Sequence, residues 1–182
     1  NGKLRPGIVH SLDKDTSGCM VVAKSQESLV NLQLQIKNKI ASRNYLAVVH
    51  GVPQKSEGTI VGNIGRHPSN RKKYAVVKNE SGRYACTHWK FIENFGNYSL
   101  ISFKLDTGRT HQIRVHCSHI NHPIVGDPLY GRCRKIPCSL TGQALHANKL
   151  GLIHPIKGNE MIFEAEMPPE LQKLIKVIKK RI

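Results

Sequence analysis

The chain has 182 residues, 39% hydrophobic and 22% charged, which lies within the globular range and is long enough to bury a core of its own. It shows no apolar run near the roughly 18–20 residues a membrane span needs and no charged-then-apolar leader, so neither an integral membrane protein nor a secreted one is expected. Against 12 Asp and Glu stand 28 Lys and Arg, a formal charge of +16, and a field of that sign gathers polyanions, nucleic acid first among them.

Aromatic residues make up only 5% of the chain, which argues against a stacking platform for single strands as the main binding device. The five cysteines are odd in number and form no C-x2-C pair, as expected of reduced thiols in a cytoplasmic protein.

In chain order, Ile8-Val9 and Met20-Val21-Val22-Ala23 read as short buried strands on either side of a polar loop. Ser25 can cap a helix in which Leu29, Leu32, Ile36 and Ile40 recur at helical spacing, with Glu27 in its first turn. Residues 45–49 read as a strand that stops at Gly51-Val52-Pro53. The stretch from Gly65 to Tyr74 holds five basic or histidine residues in ten, and its Pro and Asn make it a loop. Ile101, Phe103 and Leu105 alternate with Ser102, Lys104 and Asp106, giving a strand with one buried face. Gly108 breaks that strand, and a short helix is predicted over residues 110–119. After Pro168-Pro169, an apolar stripe of Leu171, Leu174, Ile175, Ile178 and Ile182 predicts a docked surface helix with its lysines in solvent. The sum is a mixed α+β domain of short antiparallel strands.

Two segments bear chemistry. The first, Arg5-Pro6-Gly7-Ile8-Val9-His10-Ser11-Leu12-Asp13-Lys14-Asp15-Thr16-Ser17-Gly18, sets the Asp13 carboxylate in a loop between apolar strands, where rigid scaffolds display catalytic groups. By itself it also reads as an Asp-, Ser- and Thr-rich turn. The second, Leu105-Asp106-Thr107-Gly108-Arg109-Thr110-His111-Gln112-Ile113-Arg114-Val115-His116, puts Arg109 at a glycine turn beside a helix N-terminus, an arrangement that suits a phosphate. Its arginines could equally be surface groups. His116, Cys117, His119 and His122, or Cys133 with Cys138, contain zinc-ligand residue types but match no zinc spacing, so no metal is expected.

Together the two segments resemble the RluA-type pseudouridine synthase family: the first its H-R-L-D-x-x-T-S-G signature, the second its T-G-R-T-H-Q-I-R-V-H signature. The likeness continues through His122-Pro123-Ile124-Val125-Gly126-Asp127-Pro128-Leu129-Tyr130-Gly131, Gln143-Ala144-Leu145-His146-Ala147 and Leu152-Ile153-His154-Pro155. The resemblance implies an α+β catalytic domain spanning residues 1–182, with a mixed, mainly antiparallel sheet and flanking helices around a central active-site cleft. It also implies isomerisation of uridine to pseudouridine in RNA without cofactor or metal. Large-subunit ribosomal RNA is the expected substrate, with tRNA as the alternative, and a monomer without an obligate protein partner suffices.

Asp13 then matches the catalytic aspartate, Tyr45 the active-site tyrosine and Arg114 its basic partner, while Ile113 matches the apolar residue under the target base. His10, Ser11, Leu12, Thr16, Arg109 and His111 fall in the motifs as substrate-binding positions, and Arg66, Arg71 and Lys72 in the basic loop as RNA contacts. A carboxylate that must stay ionised while partly buried needs a neighbour such as Arg114. It can then attack the ribose C1′ or the uracil C6, on a base flipped from its stack. Ser11 stands where the family has Arg, and a serine cannot fill the space of a flipped base or grip a phosphate. A non-catalytic RNA-binding module is therefore the competing expectation. Cys19-Met20 reads as a change in the core. The family's usual upstream strand with Lys-Pro-x-Gly is not among these residues, so the chain reads as trimmed at its N-terminus.

Overall fold

The computed structural model describes residues 7–78, 81–131, 136 and 138–180. Arg5 and Pro6 of the first segment, Cys133, and Arg181 and Ile182 of the predicted last helix lie outside the described residues.

One sheet organises the described chain. Its strands are β1 (Ser17–Gly18), β2 (Ser42–His50), β3 (Glu57–Arg66), β4 (Tyr74–Val77), β5 (Arg83–Asn94), β6 (Tyr98–Leu105), β7 (Leu145–Ile153) and β8 (Glu160–Glu164). The order is β1-β7-β2-β6-β5-β3-β4, with β8 also on β7, and every pairing is antiparallel except β1 with β7. Helices α1 (Gln26–Lys37), α2 (Gln112–His119) and α3 (Pro169–Lys179) flank it. The mixed, mainly antiparallel α+β architecture matches the expectation, although β3 and β5 run to 10 and 12 residues and are not short.

The Ser25 Oγ accepts from the Ser28 N–H and starts α1, as its position before the apolar periodicity predicts. Leu32 is buried, but Ile40 lies past the helix end and is 51% exposed. Residues 8–9 and 20–23 do not form buried strands. They meet in a single bridge, Ile8 to Val22; Met20 and Val22 are about half exposed, while Val9, Cys19 and Val21 pack on a second core that holds Ala23, so of the Cys19-Met20 pair only Cys19 touches the core. The ordered pairing in this stretch is Ser17–Gly18 alongside His146 and Ala147.

The main core gathers Ala47, Val48 and Val49 of β2, Ile101 and Phe103 of β6, Ile113 and Cys117 of α2, and Leu171, Leu174 and Ile178 of α3. The apolar stripe of α3 is thus inward, as predicted. Its N-terminus uses Pro169, whose missing N–H would have had no partner in the first turn. In the first half of β2, burial alternates, so Arg43, Tyr45 and Ala47 share one face.

Gly18 ends the Asp13 loop of this frame. Its φ is +115°, and a Cβ there would stand 2.1 Å from the Ala147 carbonyl oxygen. Gly18→Ala is expected to destabilise the chain by roughly 3 kcal/mol or more, read as a lower urea midpoint at unchanged m-value.

Candidate active site

A cleft of about 620 Å³ opens where the loop before β1, the start of β2 and the segment joining β6 to α2 converge. Asp13, Arg43, Tyr45, Arg109, His111 and Ile113 are among its walls. The loop bearing Asp13 is held at several points. The Thr16 N–H donates to the Asp13 carbonyl, closing a turn in which Asp15 takes a left-handed φ of +65°. The Gln143 side-chain amide donates to the Lys14 carbonyl and the Thr16 hydroxyl, and Ser17 meets the His146 ring at 2.8 Å. At the entry, the Val21 N–H donates to the His10 Nε2.

Asp13 faces Arg114. The Arg114 Nη1 lies 3.3 Å from the Asp13 Oδ2, and the Asp13 side chain is 23% exposed against 4% for Arg114. Arg114 is far from a surface residue. Its Nε and Nη2 donate to the two carboxylate oxygens of Asp127 at 2.7 and 3.0 Å. The Asp127 Oδ1 also accepts the N–H groups of Leu129 and Tyr130. Burial works against the charge on Arg114, but the hydrogen bonds and charge of Asp127, with those of Asp13, outweigh it and raise its pKa. This bidentate grip fixes the guanidinium plane and leaves one N–H edge for Asp13.

Tyr45, buried on β2, lines the same cleft. Burial raises its pKa, Arg43 opposes that and the Asp13 charge adds to it, so the phenol stays protonated at neutral pH. Ile113 is 4% exposed and forms an apolar patch of the wall, with Leu12 packed on the same core. His111, in the left-handed conformation that starts α2, is kept neutral by burial and by Arg114. The Tyr74 N–H donates to the Tyr130 oxygen, whose hydroxyl lies 3.0 Å from the His111 Nδ1. Gln112 pins the motif loop, accepting from Thr107 and the Arg109 N–H and donating to the Cys86 carbonyl and the Thr87 hydroxyl.

The remaining predicted positions spread around this centre. Ser11 is exposed on the cleft wall, and Thr16 lines it. Arg109 lies at the rim with Arg83 and Lys37, its Nε donating to the Tyr84 carbonyl. Arg66, Arg71 and Lys72 do not line the cleft. They are exposed at the β3–β4 hairpin, where Arg66 stacks on Tyr74 and donates to the Arg71 carbonyl. Tyr74 in turn meets His111 edge-on, which places the basic hairpin beside the site. Asp127, Tyr130, Gln143 and Arg43 carry this geometry without having been singled out as site residues from the sequence. The Gly126-Asp127-Pro128 run of the third likeness segment was the available signal for Asp127.

Among the described residues, the histidines and cysteines weighed as zinc ligands do not gather. Cys86, His88 and Asp106 do bring their ligating atoms within 4.8 Å of one another, but the Lys39 Nζ sits 3.0 Å from Asp106 and opposes a cation there. Cys19, Cys86, Cys117 and Cys138 are free thiols, as expected.

Two histidines make the frame acid-sensitive. Burial, with a smaller push from Arg43, lowers the His10 pKa to about 4, and burial with His119 does the same to His116. The His116 Nδ1 meets the Thr87 hydroxyl at 2.9 Å, and the ring is fully buried. An unfolded chain binds these protons near pH 6.5 and the folded one only near pH 4, so stability present above pH 6.5 is lost as pH falls towards 4. For His116 the loss is expected to be on the order of 3 kcal/mol. His116→Asn should start less stable at pH 7 but lose less between pH 7 and 4 in urea titrations; an unaltered acid slope would assign the effect elsewhere.

Residues 1–119 match the family profile described as RNA pseudouridylate synthase. Over its whole length the chain is 50% identical to 56% of an uncharacterized RNA pseudouridine synthase of Synechocystis. With 97% of its length it is 45% identical to 57% of the ribosomal large subunit pseudouridine synthase D of Zymomonas mobilis. The chain thus spans a little over half the length of these curated relatives. Of solved structures, human RNA pseudouridylate synthase domain containing 1 superposes with a TM-score of 0.72 at 26% identity, over 94% of this chain and 79% of that one. On this agreement of motifs, sheet topology and sequence, the chain belongs to the RNA pseudouridylate synthase family, of the RluA type that its two segments resemble.

Proposed function

We propose that residues 1–182 act, as a monomeric catalytic domain in the cytoplasm, to isomerise specific uridines of large-subunit ribosomal RNA to pseudouridine. The observation that carries this reading is the Asp13 carboxylate held 3.3 Å from Arg114 in a cleft that Tyr45 and Ile113 also line. The relatives named as ribosomal large subunit enzymes support the choice of RNA.

The reaction exchanges one glycosidic bond for another. The N1–C1′ bond breaks, a C5–C1′ bond forms, N1 gains a proton and C5 loses one. Asp13 supplies the nucleophilic carboxylate, adding covalently at C1′ or at C6 of the uracil. Arg114 orients that carboxylate through its Nη1, because its other edge is committed to Asp127. The detached uracil turns over between Ile113 and the Tyr45 ring, and Tyr45 takes part in the final proton transfer from C5. The isomerisation is redox-neutral, so it calls for no electron carrier. Around the cleft, Arg109 and the hairpin residues Arg66, Arg71 and Lys72 contact backbone phosphates, which orient the RNA without reading its bases. His10, Leu12, Thr16 and His111 shape the wall against the flipped nucleotide, and Ser11 leaves more space there than an arginine would.

The test is chemical mapping of pseudouridine in large-subunit ribosomal RNA transcripts and in tRNA after incubation with this chain. A site-specific product in the ribosomal transcript is expected. A product in tRNA alone would reassign the substrate. No product in either, with RNA still bound, would favour a binding module, and Ser11→Arg would then show whether the missing arginine is the cause.

A further inference from the structure

Arg43 is a buried cation that the reaction as described leaves unused. Only 5% of it is exposed, and among the described residues no carboxylate forms an ion pair with it. Its Nε–H is buried without a hydrogen-bond partner. Burying a guanidinium in this way is costly unless something in the working complex compensates it. The guanidinium lies against Gly108, where a Cβ would come 2.7 Å from its Nη1, and it lines the same cleft as Asp13 and Tyr45. It shares the inward face of β2 with Tyr45, two residues on. The nearest titratable groups facing it are His10, Tyr45 and Asp106: His10 is neutral, Tyr45 is protonated, and the Asp106 carboxylate is occupied by Lys39 and His88. An unspent positive charge therefore points into a cleft proposed to receive a nucleotide.

We propose that Arg43 binds a negatively charged oxygen of the target nucleotide, as a further substrate-contacting residue of this site. The inference rests on the function proposed above. Two oxygens share this chemistry: a phosphate oxygen flanking the flipped uridine, and a uracil carbonyl oxygen that takes up charge while the ring is detached. Their signatures differ. A phosphate contact adds binding in ground and transition states alike, whereas a contact to the detached ring acts only during the reaction.

Arg43→Met and Arg43→Lys would be compared with the native chain on a large-subunit ribosomal RNA transcript labelled with tritium at uridine C5. Single-turnover tritium release gives the rate at saturation, and filter binding at several salt concentrations gives affinity. For the phosphate, Arg43→Met is expected to bind about tenfold more weakly with its salt slope reduced by about one, at an unchanged saturated rate. For the ring oxygen, the saturated rate falls by roughly 100-fold at unchanged affinity. In either case Arg43→Lys recovers most of the loss. A rate and affinity that stay within about threefold in Arg43→Met, or a loss equally large in Met and Lys that follows their thermal stability, would make Arg43 a packing residue and overturn the proposal. If the native chain releases no tritium, the proposed function fails separately. The contact is then judged by binding, and an unchanged affinity and salt slope rejects it.

Discussion

Asp13→Asn is expected to reduce pseudouridine formation by roughly 10⁴-fold or more, the scale on which loss of a nucleophile acts in covalent catalysis. The substitution keeps the shape of the side chain and an oxygen that can still accept from the Arg114 Nη1, 3.3 Å away in the native chain. Its turn is set by the Asp13 carbonyl and not by its carboxylate, since it is the carbonyl that accepts from Thr16. The fold should therefore survive, with a urea midpoint close to native. Binding should hold or improve, because removing a carboxylate from a basic cleft lessens repulsion of a polyanion. The expected result is a folded protein that holds RNA and leaves it unmodified, read by tritium release and filter binding on the same preparation. Residual conversion within tenfold of native would remove Asp13 from the nucleophile's role, whatever the motif suggests.

The elements that could be read from the sequence were those whose local pattern and tertiary setting agree. α1 has a serine cap and an apolar period, α3 a full apolar stripe behind a proline, and β6 a strict alternation, and all three form close to their expected bounds. β3 was missed because Gly58, Gly62 and Gly65 weaken its strand pattern. These glycines serve tertiary contacts: a Cβ at Gly58 would meet the Trp89 ring at 2.9 Å, and one at Gly62 would meet Val76 at 2.7 Å. β5 mixes Thr, His, Lys and Glu with its apolar residues and depends on having a strand on each side. The opposite error, buried strands at residues 8–9 and 20–23, came from short apolar runs that periodicity cannot place inside or outside.

The site divides along similar lines. Asp13, Tyr45 and Arg114 lie in recognisable segments, and the fold does bring all three to one place. The residues that hold them are scattered: Gln143 reaches back across 127 residues to Thr16, and Asp127 is 13 residues beyond Arg114 around a turn. Support of this kind is a property of the assembled fold, and no spacing rule in a single sequence displays it. Of the basic stretch read as a loop, residues 67–73 are one, while Gly65 and Arg66 end β3 and Tyr74 begins β4, and its arginines lie at the side of the cleft and not on its walls.

Asp127→Ala is expected to do the second-largest damage, and in two separable ways. The carboxylate is fully buried and satisfies two guanidinium N–H groups and two backbone N–H groups at once. Removing it leaves Arg114 charged in a dry setting with only the longer contact to Asp13, so the fold should lose about 3–5 kcal/mol, seen as a lower urea midpoint. Activity should fall further than the unfolded fraction accounts for, because an untethered guanidinium no longer fixes the angle of Asp13. Pairing the change with its partner separates the two effects. Arg114→Met with Asp127→Leu replaces a buried ion pair by apolar groups of similar size, which is often neutral or stabilising. The double variant should therefore regain the part of the stability lost to an unpaired guanidinium, though not the part owed to the Leu129 and Tyr130 N–H groups that Asp127 satisfies, while tritium release stays near background. A double variant that recovers both would reduce the pair to a structural prop. One that recovers stability alone places Arg114, aimed by Asp127, in the machinery that keeps Asp13 ready to react.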